Sequence, residues 1–184
     1  MLPRLIVFAT LLAPTMSHAD NSRWLTLGAT SEAKQYDATR GMRGELDLVT
    51  WQGWTLGASA AVATGTVGVY SNMTVEVHTL DLKGMAYVAR TAKFESWELR
   101  GALGLGVIHT SGEALDVYEN PVAESHRTFP TAEASLHATV PISPSWAITG
   151  GPIASYYDQW FRANGGETHR LAELSFLAGV SYRM

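Results

Sequence analysis

The sequence predicts an all-β protein, an eight-stranded antiparallel up-and-down transmembrane β-barrel. Three observations lead there. Apolar residues recur with period two along most of the chain. The segments that carry this period are joined alternately by short and long connections. Most tryptophans fall at segment ends on the short-connection side. An even number of alternating strands with unequal loops at the two ends is the pattern of a membrane barrel.

The chain has 184 residues, of which 46% are hydrophobic and 16% charged, with no cysteine. That length suits one domain. So few charges argue against a disordered chain. The absence of cysteine removes disulfides, thiolate-bound zinc and thiol nucleophiles. A net charge of -4 leaves no basic surface for nucleic acid, and no nucleic-acid partner is expected.

Residues 1 to 19 read as a signal peptide, and residues 20 to 184 as the barrel domain. Arg4 gives a positive start, Leu5 to Ala13 is apolar but too short to span a bilayer, and Ser17-His18-Ala19 suits a signal peptidase. The expected destination is the cell outer membrane, with the leader removed.

Strand one, Arg23 to Thr30, alternates weakly. Strand two sets Met42, Gly44, Leu46 and Leu48 against Arg43, Glu45, Asp47 and Val49. Strand three covers Trp54 to Ala63. It lies in Leu48 to Val75, a charge-free stretch whose Gly, Thr, Gln52 and Asn72 fit a strand better than a membrane helix. Strand four sets Leu80, Leu82, Gly84, Ala86 and Val88 against Asp81, Lys83, Met85 and Tyr87. Strand five sets Trp97, Leu99, Leu103, Leu105 and Val107 against Glu98, Arg100, Ala102 and Gly104. Strand six sets Ala132, Ala134, Leu136, Ala138 and Val140 against Glu133, Ser135, His137 and Thr139. Strand seven, Trp146 to Tyr157, contains Gly150-Gly151-Pro152, where a bulge or kink is expected. Strand eight sets Leu174, Phe176, Ala178, Val180, Tyr182 and Met184 against Glu173, Ser175, Leu177 and Arg183.

Short turns are expected at Gln52-Gly53, at Thr91 to Ser96 and at Ser143 to Ser145. Long loops are expected at Glu32 to Gly41, Gly65 to Asn72, Gly112 to Pro130 and Asp158 to Glu167. Trp24, Trp51, Trp54, Trp97 and Trp146 would form a girdle at the short-turn rim, where indole finds both lipid and water. Trp160 falls on the other side.

Alternation turns the charged faces inward. Arg43, Glu45, Asp47, Asp81, Lys83, Glu98, Arg100, Glu133, His137, Glu173 and Arg183 then share the lumen. Eight strands enclose little more than side chains. Buried charges of mixed sign must be paired or watered. The composition therefore favours a plug of ion pairs over paired catalytic carboxylates. Lys83 and Arg100, on neighbouring strands with Asp81 and Glu98 close by, are the expected local partners. A narrow channel for small or hydrophobic solutes is the alternative.

At this point the chain resembles the small eight-stranded outer-membrane proteins, the group that contains the OmpA transmembrane domain and OmpX. The tail Gly179-Val180-Ser181-Tyr182-Arg183-Met184 is similar to the Gly-Val-Gly-Tyr-Arg-Phe ending common there, but departs from it at Met184. The resemblance implies a structural or surface-interaction role, through envelope integrity or adhesion. It implies outer-membrane lipid and lipopolysaccharide as surroundings, and assembly-machinery recognition of the last strand. It implies no cofactor.

Some barrels of this size deacylate lipid A with a His-x-Ser pair. His109-Thr110-Ser111 has that spacing, with Glu113, Glu119 or Glu124 as candidate orienting acids; Ile108 and Gly112 depart from the pattern. Activation of a Ser needs a His hydrogen-bonded to it. The competing reading is a His and a Ser at a barrel rim. His126, His137 and His169 lack compact metal-ligand spacing, so no metal is expected. Residues 112 to 130, read as a loop, are the expected place for a surface ligand.

Overall fold

The computed structural model describes residues 23–33, 38–70, 74–115, 121–160 and 168–184. The candidate signal peptide lies outside the described residues. So do Glu119, most of the 112–130 surface-ligand candidate's centre, and the tips of the other long connections. Eight strands follow one another: β1 (Trp24–Ala33), β2 (Ala38–Trp51), β3 (Trp54–Tyr70), β4 (Thr74–Lys93), β5 (Glu98–Leu115), β6 (Pro121–Pro141), β7 (Trp146–Trp160) and β8 (Thr168–Arg183). Every strand pairs antiparallel with its sequence neighbour, and β1 pairs with β8 to close the barrel. Closure leaves no strand without a neighbour on either side, as a lipid environment requires.

The outer wall is apolar. Leu27, Met42, Leu103, Leu105, Ile148, Leu174 and Phe176 each expose more than half their surface. Four of the tryptophans assigned to the girdle, Trp51, Trp54, Trp97 and Trp146, are also exposed. Phe94 stacks on Trp97, Trp146 tilts against Tyr182, and Arg90 lies over the Trp54 ring. Trp24 departs from the expected girdle. It is buried, with the Arg183 guanidinium 4.9 Å from its ring. As the first residue of β1 it can turn inward and floor the lumen with the cation.

The expected connections are corrected. Residues 112 to 130 are not one loop: β5 continues to Leu115 and β6 begins at Pro121. Similarly β1 reaches Ala33 and β2 begins at Ala38, inside the loop expected at Glu32 to Gly41, β3 reaches Tyr70, β4 reaches Lys93 and β7 reaches Trp160. Backbone pairing continues past the bilayer, where outward residues no longer need to be apolar, so the period-two signal fades before the strand does. The bulge is displaced as well. No register shift occurs at Gly150-Gly151-Pro152, although the pairing of β7 with β6 lapses between Gly150 and Ile153. Register shifts lie in β2 between Asp47 and Val49, which leaves Leu48 and Val49 both outside, and in β5 between Ala114 and Leu115. Gly151 is still required: a Cβ there would collide with the Leu136 carbonyl oxygen. At Gln52-Gly53 both residues have positive φ, 46° and 79°, the signature of a type I′ hairpin turn.

Candidate functional site

Period two turns every second residue inside, many of them polar, and closure brings eight such rows together. Arg43, Glu45, Asp47, Asp81, Arg100, Glu133, His137 and Glu173 are buried in the lumen. Lys83 and Glu98 are nearly so, and Arg183 is half-buried at the short-turn end.

The centre of the lumen is crossed by Arg43. From β2 it reaches Glu133 on β6, four strands away around the wall, through Nη2 to Oε1 at 2.5 Å and Nη1 to Oε2 at 3.1 Å. Its Nε donates to Glu45 Oε1 at 2.7 Å. Lys83 donates to Ser155 at 2.9 Å and lies 3.6 Å from Glu133. His137 Nδ1 lies 3.7 Å from Glu45 Oε2. The fork of one guanidinium thus engages two carboxylates, the geometry that arginine suits best.

Nearer the short turns Asp47 gathers three donors. Arg100 donates to it at 2.6 Å, the Tyr87 hydroxyl at 2.9 Å and the Trp24 backbone N–H at 3.1 Å. Tyr87 lies over Gly57 so closely that a Cβ there would strike its ring. Beside this cluster Thr26, Ser181, Thr149 and Thr139 form a hydroxyl chain over four adjacent strands, with contacts of 2.7, 2.6 and 3.0 Å.

Between β4 and β5 the described ion pair is Lys93 with Glu98. Lys83 and Arg100 pair with acids two and three strands away. Lumen-facing side chains on adjacent strands point the same way, whereas those on facing walls point at each other. Glu98 lies 3.8 Å from Lys93 and 3.9 Å from Arg183, at the rim. Asp81 and Glu173 line a cavity with Arg43, Lys83, Ile108 and Ile153. It holds about 30 Å³; a second, beside Glu45 and Tyr87, holds about 10 Å³. These spaces fit roughly two waters and one water.

The His109 and Ser111 pair suggested by spacing is not formed. Both side chains lie on the outward face of β5, but Ser111 Oγ is 3.1 Å from Nδ1 of His126 on β6. His109 Nδ1 is 2.9 Å from Thr128 Oγ1. Cross-strand neighbours are nearer than residues two apart on one strand. Among the described residues no group of three metal-ligating side chains converges.

The chain folds as an eight-stranded closed barrel, apolar outside and ion-paired inside. Solved outer-membrane barrels share that fold. A major outer membrane protein of Thermus thermophilus matches with a TM-score of 0.59 and 11% identity, over 90% of this chain and 100% of that one. OprG of Pseudomonas aeruginosa matches with a TM-score of 0.56 and 12% identity, over 93% and 99%. Ail, the attachment invasion locus protein of Yersinia pestis, matches with a TM-score of 0.50 and 13% identity, over 91% and 100%. No protein-family model and no curated protein sequence matches the chain.

Proposed function

We propose that the protein is a closed, plugged barrel of the outer membrane whose work is done on its outside, as a structural and surface-contact element. The observation that carries this is Arg43, which bridges opposite walls to Glu133 at the centre of the lumen. A guanidinium held by two carboxylates, with water-sized gaps beside it, blocks solute passage. The long-connection ends of the strands are the natural contact surface. Ail, an attachment protein solved with a heparin analogue, offers a precedent for such a use of this fold.

The test is conductance. Wild-type protein in planar bilayers should give no large, steady openings, and liposomes containing it should not swell in small sugars. Large stable pores would refute the plug and favour the channel reading.

A further inference from the structure

We propose that the outward face of β3, β4 and β5 at the short-turn rim binds an inner-leaflet phospholipid, with its phosphate on Arg90 and an acyl chain in the notch over Gly101. This goes beyond the contact role given above. It rests on that reading in one respect, that the short turns lie at the inner face of the outer membrane.

Alternation puts Arg90 on the outward row of β4, with exposed Leu82 and Val88. Register sets it beside Trp54 on β3 and Gly101 on β5. Its guanidinium lies over the Trp54 ring, 5.1 Å from the centroid. The lumen arginines Arg43 and Arg100 are each held by a carboxylate. Among the described residues Arg90 has no ion-pair partner. A ring face steadies a cation but offers no acceptor oxygen, so the guanidinium fork keeps its N–H donors. A charge beside lipid is costly until an opposite charge meets it. Two oxygens of one phosphate fit that fork.

The depth suits a phospholipid. Trp51, Trp54, Trp97 and Trp146 are exposed at this rim, and indole marks the interface. A guanidinium over Trp54 is therefore at headgroup level. Gly101 stands four residues along β5 from Trp97. At about 3.4 Å per residue and a tilt of about 40°, that is about 10 Å deeper, among the acyl chains.

The notch is open. A glycine inside a strand weakens it and marks a close approach by something else. At Gly57, Gly106, Gly151 and Gly179 the protein itself approaches, and a Cβ would collide. At Gly101 a Cβ would meet nothing nearer than Leu136 Cδ1 at 4.0 Å. Exposed Leu103 and Leu136 flank the gap, so its walls are apolar. Gly84 is as open, but its cross-strand neighbours are Ala60 and Val107, with no charge between them.

The probes are phosphatidylglycerol, diacylglycerol and glycerol 3-phosphate, presented to the detergent-folded barrel and read by native mass spectrometry. Wild type should retain phosphatidylglycerol. Arg90→Gln should retain it about tenfold less, the loss of one hydrogen bond to a charged group. Diacylglycerol should bind wild type as weakly as phosphatidylglycerol binds the variant. Gly101→Leu fills the notch and should repeat the loss, whereas Gly84→Leu should retain the lipid; this pair carries the test if Arg90→Gln does not fold. Equal retention by wild type and Arg90→Gln overturns the phosphate site. Equal retention by Gly101→Leu and Gly84→Leu overturns the notch. Displacement by glycerol 3-phosphate at lipid-like concentrations overturns the lipid source. The chain has no cysteine, so Glu95→Cys, in the exposed turn after β4, takes a single impermeant maleimide. Labelling only after the outer membrane is permeabilised, with no lipid retention, refutes the phospholipid site alone. Labelling in intact cells refutes the inner-leaflet placement beneath it.

Discussion

Replacing Arg43 with methionine removes the side chain that joins the two walls of the lumen while keeping an unbranched stem of similar reach. Arg43 is 4% exposed and Glu133 is 4% exposed, so neither charge has solvent to fall back on. Breaking such a pair from one side costs about 3–5 kcal/mol, because the remaining carboxylate is left buried. The structure points to the lower end of that range. Glu133 keeps Lys83 at 3.6 Å and a hydroxyl from Ser155 at 3.3 Å, and Glu45 keeps His137 at 3.7 Å. We expect a loss of about 3 kcal/mol. Urea unfolding of the vesicle-inserted barrel, followed by tryptophan fluorescence, should show a lower midpoint with an unchanged slope. Adding Glu133→Gln to Arg43→Met should cost less than the sum of the single changes by at least about 1 kcal/mol. A loss below about 1 kcal/mol for Arg43→Met, the size of an exposed pair, would refute the claim that this bridge holds the lumen closed.

Other perturbations probe other parts of the barrel. Leu103 is 71% exposed on the outer wall, midway up β5; Leu103→Arg should cost about 2–4 kcal/mol in bilayers, measured by the same unfolding assay. Gly151→Ala sets a methyl against the Leu136 carbonyl oxygen and should cost about 1–3 kcal/mol by overpacking, seen as a lower melting temperature on heat-modified gels. A variant keeping Trp24 as its sole tryptophan should resist quenching by brominated lipid, and one keeping Trp146 should be quenched, because the first is inside and the second outside. Equal quenching would show that Trp24 belongs to the girdle.

Much of the barrel was legible in the residues. Strand number, the order of strands and the facing of Arg43, Glu133 or Leu103 follow from period two, since a residue's side of a sheet depends only on its place in the alternation. The exposed tryptophans were legible for a similar reason: each lies beside a turn. Trp24 shares the inward phase of Thr26 and was misread because strand one alternates only weakly in sequence. The outer ends of β5 and β6, within residues 112 to 130, were missed because the hydrophobic signal ends with the lipid, whereas hydrogen bonding between backbones does not.

The sequence by itself determined what each row of side chains can be, apolar toward lipid or charged toward the lumen. Tertiary structure decided who meets whom. Arg43 and Glu133 are 90 residues apart in the chain, and Arg100 and Asp47 are 53 apart. No spacing rule reaches across those intervals. Closure of β1 on β8 sets them face to face, and the register of β5 with β6 likewise gives Ser111 to His126 instead of His109. The physical reason is that alternation is a local property of a strand, while contact across a lumen or a ladder depends on curvature and register, which only the closed sheet supplies.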